Sequence, residues 1–144
     1  RIMGMDLALS AAGLSPDDLI VFEAPETSVA AGERAVTQLL SAHPDLTGIV
    51  VDSDTLARGV IDGAQALGRR VPQELSVIGA DDNADATRGT PTLTTVSTGA
   101  REKGYRAVLT VAGRLYSHLG QDLRVAAELM VRQSTAPAQP SAES

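Results

Sequence analysis

Cysteine and tryptophan are absent from this 144-residue chain, and its aromatic rings are limited to one phenylalanine and two tyrosines. Without thiols there is no disulfide, no thiolate nucleophile and no cysteine-based zinc site. Only two histidines remain for metal or proton-transfer work. His43 precedes the helix-stopping Pro44, and His118 lies near a helix end beside Gly120, where a cation meets the helix dipole favourably. Both therefore read as structural. Positive charge is also scarce: 12 Lys and Arg face 18 Asp and Glu, for a net charge of −6, and Lys103 is the sole lysine. Binding to a phosphate backbone requires clustered basic side chains that displace counterions, so this chain alone is not expected to bind DNA. No signal-peptide pattern and no apolar run of about 20 residues is visible, which points to a soluble, cytoplasmic protein with no membrane partner.

What is present is a 43% hydrophobic share, enough for one domain with a real core. The chemistry must then rest on Asp, Glu, Ser, Thr and Arg. Ile2, Met5 and Leu9 have helical spacing and stop at Gly13, a left-handed cap. The chain opens on Arg1, not Met, already inside this helical pattern, as expected of a piece of something longer. "SPDD" turns the chain into "LIVF", which predicts a strand at Leu19 to Phe22. Thr27 or Ser28 can cap a helix with an apolar stripe at Gly32, Val36 and Leu39, ending at Pro44.

"LTGIVVDSD" is a second strand, and Leu56, Val60, Ala64 and Leu67 define the next helix, which Gly68 ends. "RRVPQE" leads into a third strand, "LSVIG". Strand, helix and strand at this spacing form a βαβ unit, so the predicted fold class is α/β, a parallel sheet flanked by helices. "RGTPTLTTVS" reads as an extended crossing segment, residues 99–120 as a long helix, and "LRVAAELMVRQS" as a last strand. The low apolar content of residues 134–144 predicts a disordered tail.

In open parallel sheets, ligands bind beyond the carboxyl ends of the strands. That rule brings Asp52, Ser53 and Asp54, which follow one strand, beside Asp81 and Asp82, which follow the next. Ser53 or Asp54 can equally cap the following helix, satisfying its free amides. An enzymatic alternative also exists. "IVVDSDTL" resembles the first motif of haloacid-dehalogenase-type phosphatases, with Asp52 as nucleophile, Asp54 as acid/base and "GADDNAD" supplying Mg²⁺ ligands. The spacing opposes it, because Asp54 and Asp81 are too close to admit that family's intervening motifs, and Lys103 follows both. The glycines in "GVIDGAQALG" lie within or end a helix, so they form no phosphate fingerprint, and no Gly-x-Ser-x-Gly elbow is present.

Three pieces in order carry a more extensive likeness: Asp54-x-x-Ala57-x-Gly59, then "RVPQELSVIGADD", then "PTLTTV". Together with "RIMGMDLAL" at the start, they resemble the C-terminal part of the effector-binding domain of LacI/GalR-type transcriptional regulators. The resemblance implies a type I periplasmic-binding-protein-like fold, incomplete here. Residues 1–91 would form the C-terminal lobe, and residues 92–133 a crossover, helix and strand returning to the N-terminal lobe. It implies a repressor that binds a sugar or related metabolite between lobes, without enzyme activity or cofactor. It also implies homodimers, with subunit contacts on the helix Thr55 to Leu67 and the loop Asn83 to Gly89. DNA would be bound only through a helix-turn-helix region outside this chain.

On the same resemblance, Arg1, Ser53 and Asp81 fall where the family touches polar groups of the effector, and Met5, Thr27, Ala80 and Thr98 belong to the same pocket. Asp82 would hold the turn. Met5 and Ala80 replace rings common in the family, leaving little here to stack on a sugar face. A periplasmic sugar-binding protein shares the fold and is the alternative among binding proteins.

Overall fold

The computed structural model describes residues 2–113 and 124–137. Short apolar runs become its central strands: β1 (Gly48–Val50), β2 (Ser76–Ala80) and β3 (Thr94–Ser97). β1 and β2 pair in parallel with Ile49 opposite Val77, and β2 and β3 pair in parallel with Gly79 opposite Thr95. The "RGTPTLTTVS" segment is thus more than a crossing: its second half is a full sheet strand. A fourth strand, β4 (Glu128–Met130), runs antiparallel to β3 with Leu129 opposite Val96. The sheet, ordered β1-β2-β3-β4, is therefore mixed and not wholly parallel.

The helices are α1 (Ile2–Ala11), α2 (Val29–Ala42), α3 (Asp54–Ala66) and α4 (Ala100–Val111). Ser28 caps α2 by accepting the Ala31 N–H, as its position before the apolar stripe predicts. α2 and α3 approach so closely that a side chain at Gly59 would overlap the Val29 carbonyl, and one at Gly32 the Leu56 carbonyl. These glycines serve helix packing, in line with their failure to form a phosphate loop. Beneath them Val36, Val60, Ile61, Val71, Leu75, Val77 and Leu93 close into one core.

Two expectations change. Leu19 to Phe22 is not a strand. A strand needs a ladder partner, none lies alongside among the described residues, and Ile20, Val21 and Phe22 remain exposed. The start of the predicted tail is also ordered. Ser134 is fully buried between β2 and β3, where its Oγ donates to the Val77 carbonyl at 2.6 Å and accepts the Thr94 N–H at 2.8 Å. Its carbonyl accepts the Val77 N–H at 2.8 Å. Polar composition does not reveal a serine that completes a ladder. Arg1, His118, residues 114–120 of the expected long helix and residues 138–144 of the tail lie outside the described residues.

Candidate functional site

Parallel register levels the carboxyl ends of β1, β2 and β3. Val50 pairs with Ile78 and Ala80 with Val96, so continuing each strand places Ser53, Asp81 and Thr98 along one rim. Ser53 occupies the cap position of α3 in extended conformation, yet its hydroxyl makes no capping hydrogen bond. That leaves a half-buried hydroxyl at the rim. Thr98 is half-buried between β3 and α4, and Ala80 is buried at the end of β2. Asp81 is exposed, with φ +103°, and Asp82 follows with φ +53°. Two successive non-glycine residues on the left-handed side are uncommon and persist only where the surroundings hold them.

The surroundings do hold them. Asp54, at the first turn of α3, is fully buried. Its Oδ1 accepts the Thr95 hydroxyl at 2.5 Å and its Oδ2 accepts the Asn83 N–H at 2.8 Å. The carboxylate lies against Gly79, where a Cβ would overlap Oδ1. That contact is a physical reason for the glycine in "LSVIG". Burial pushes the Asp54 carboxyl above its ordinary value, against the lowering effect of both hydrogen bonds, and the charges of Asp81 and Asp82 push the same way as burial. Asp81 N–H donates to the Val96 carbonyl at 2.9 Å. Asp82 Oδ1 accepts from Arg132 at 2.6 Å, a contact that fits the expected turn-holding role of Asp82.

Asp54 is thus neither the side-chain cap nor the ligand contact that its position allowed. Both of its oxygens are engaged and the residue is fully buried, a placement that does not suit the acid/base role Asp54 would have in the phosphatase alternative. Among the other candidates, Met5 is half-buried on α1 and Thr27 is exposed in the turn before α2. No hydrogen bond among the described residues joins either to the rim. Thr95 and Arg132 were missed by sequence reasoning. Thr95 carries a faint signal, a hydroxyl inside an apolar strand, whereas Arg132 carries none.

Behind the rim, α3 and the segment 83–91 form one block. Arg58 is buried and donates to the carbonyls of Arg88 and Pro91 at 3.0 and 2.9 Å, while also pairing with Asp62. Thr55 donates to Asp85 at 2.6 Å and Gln65 to the Thr90 carbonyl. The loop is therefore cross-tied to the helix rather than free.

Residues 1–135 match the periplasmic binding protein-like domain. The chain belongs to that family. Its relatives include the HTH-type transcriptional regulator Rv3575c of Mycobacterium tuberculosis, 39% identical over 108 residues, which are 74% of this chain and 29% of that protein. Solved structures agree. A transcriptional regulator CelR–cellobiose complex is similar with TM-score 0.78 and 29% identity, over 93% of this chain and 41% of that one. A LacI family transcriptional regulator from Enterococcus faecium with bound ribose gives TM-score 0.82 and 27% identity, over 96% of this chain and 52% of that one. This periplasmic-binding-protein-like chain thus spans about half or less of the proteins it matches, and the likeness to LacI-type regulators read from "RVPQELSVIGADD" holds.

Proposed function

We propose that this chain is the effector-sensing and dimerisation region of a bacterial DNA-binding transcriptional regulator of the repressor type. It would hold a sugar or related metabolite at the crevice beyond β1, β2 and β3. The observation that carries this reading is the convergence of the Ser53, Asp81 and Thr98 positions on one rim, with Asp81 held outward in a left-handed conformation. A carboxylate that accepts two hydroxyl hydrogen bonds is a strong, oriented contact for a polyol. A serine and a threonine add neutral donors and acceptors. Arg1, Met5, Thr27 and Ala80 complete the pocket in this reading, and the paucity of rings leaves recognition mainly to hydrogen bonds.

The activity is binding without turnover. The sugars bound by the CelR and Enterococcus faecium proteins support the effector class. The helix-turn-helix wording of Rv3575c supports DNA binding through a separate region and hence a cytoplasmic location. The cross-tied block of α3 and residues 83–89 suits a subunit contact, because a rigid surface loses little entropy on docking. For regulation, the effector must contact two arrangements of the protein differently. A thermal-shift screen of the intact protein against cellobiose, ribose, lactose and nucleosides tests the reading. A concentration-dependent rise in melting temperature with one sugar is expected, since a ligand that binds only the folded state stabilises it by mass action. Response to nucleosides alone would replace the sugar class, and response to none would overturn the reading.

A further inference from the structure

Resting on that reading, we infer that Arg132 is a positioning residue for the effector site, fixing Asp81 through the conformation of Asp82. Its guanidinium reaches two points of the same corner: Nη2 donates to Asp82 Oδ1 at 2.6 Å and Nη1 to the Leu93 carbonyl at 2.9 Å. The pair is mostly withdrawn from solvent, with side-chain exposures of 20% and 24%. A withdrawn, charge-assisted contact of this kind constrains geometry more than an open surface pair does.

The other end of the lever is anchored as firmly. Arg132 N–H donates to Thr94 Oγ1 at 2.9 Å, and Gln133 N–H to the Thr92 carbonyl at 3.0 Å. Ser134 then wedges between β2 and β3 with three hydrogen bonds. The backbone that carries Arg132 is therefore tied to the sheet, and its side chain holds Asp82 from that base. On the opposite side of the corner, Asp54 holds the Asn83 N–H. Neither Asp81 nor Asp82 is glycine, so their positive φ values depend on these restraints. Among the described residues no side chain anchors Asp81, which is exposed.

Because Arg132 lies two residues beyond β4, the same contact ties the effector rim to the strand that leads into it. Movement of β4 would be felt at Asp81, and occupation of Asp81 would be felt at β4.

The test uses the intact protein carrying this chain and has two arms. In the first, amide hydrogen exchange is measured without ligand. Arg132→Met should accelerate exchange at Asp81 and Asn83 by about tenfold or more, with Val77 inside β2 changing less than about threefold. Asp82→Asn, which retains the fold-bearing arginine, should do the same. Unchanged exchange at the corner, or equal acceleration throughout β2, would overturn the proposal.

In the second arm, ribose and cellobiose are titrated calorimetrically at a temperature where every variant is folded. Arg132→Met should weaken the tighter sugar about tenfold, Arg132→Lys should recover most of that loss, and Arg132→Met should cost nothing further in an Asp81→Asn background. Losses that simply add would show that Arg132 does not act through Asp81. If none of ribose, cellobiose and lactose binds the parent protein, the sugar reading fails, while the exchange arm still decides the positioning role.

Discussion

Among the described residues, all the buried apolar side chains lie between Ala31 and Leu93, whereas the exposed large ones, apart from Val50 and Leu67, lie in residues 2–22 and 105–131. Residues 2–22 and 105–131 are richer in apolar residues than residues 31–93, yet it is the latter that close over a core. α2 and α3 press on each other and α3 on β2, and the core between them is closed. α1 and α4 contain no buried residue, and Met3, Leu7, Tyr105, Val108 and Val111 are exposed. The difference teaches that helical periodicity specifies a helix and a face, while burial depends on a partner for that face. Of the candidate rim, Ser53 and Asp81 adjoin the closed region, Asp81 directly at the end of β2, whereas Thr98 follows β3 just outside it. A selective site needs such rigid support.

The largest expected contrast comes from trimming one apolar residue in each region. Leu75→Ala should lower unfolding free energy by about 2 to 5 kcal/mol, because a cavity opens where no neighbour can collapse. Val108→Ala should stay within about 0.5 kcal/mol. Denaturant melts of both variants measure this, and equal losses would mean that α4 is as firmly packed as the core around Leu75. A second contrast uses glycine. Gly59→Ala should cost about 3 kcal/mol by forcing α3 off the Val29 carbonyl. Gly104→Ala, which meets nothing in α4, should instead stabilise by about 0.5 to 1 kcal/mol.

A smaller effect concerns pH. Burial raises the Asp54 carboxyl in the folded protein, so the folded state binds its proton more readily than the unfolded state does. The stability this group contributes is present below the ordinary aspartate value of about 3.9 and is lost as pH rises through the folded value. Asp54→Asn removes that slope. Relative to Asp54→Asn, the parent protein should therefore lose melting temperature as pH rises from about 3.5 to 7. A relative gain would mean that the hydrogen bonds from Thr95 and Asn83 outweigh burial.

What could be read from the residues in order follows the same division. α2 with its Ser28 cap, α3 and the two strands on either side of it were all legible, because each depends on neighbours a few positions away. The Leu19 to Phe22 strand was misread since its pattern is real but its ladder partner is not among the described residues. The supports of the rim were illegible for a different reason. Asp54 meets Thr95 across 41 positions and Asp82 meets Arg132 across 50. No local pattern encodes such pairs, and only the sheet register brings them together. Ser134 escaped in the same way, standing where the predicted last strand meets the polar tail while joining β2 to β3 through its hydrogen bonds.

The most direct measurement is a calorimetric titration of the intact protein and of Asp81→Asn with whichever sugar raises the melting temperature of the parent. Replacing a charged acceptor by a neutral amide at a hydroxyl-binding position should cost about 1.5 to 3 kcal/mol, or roughly tenfold or more in Kd, with the melting temperature of the unliganded protein little changed. An Asp81→Asn protein that binds the sugar as tightly as the parent would contradict the account, because Asp81 would then not be the group that the corner holds out to the ligand.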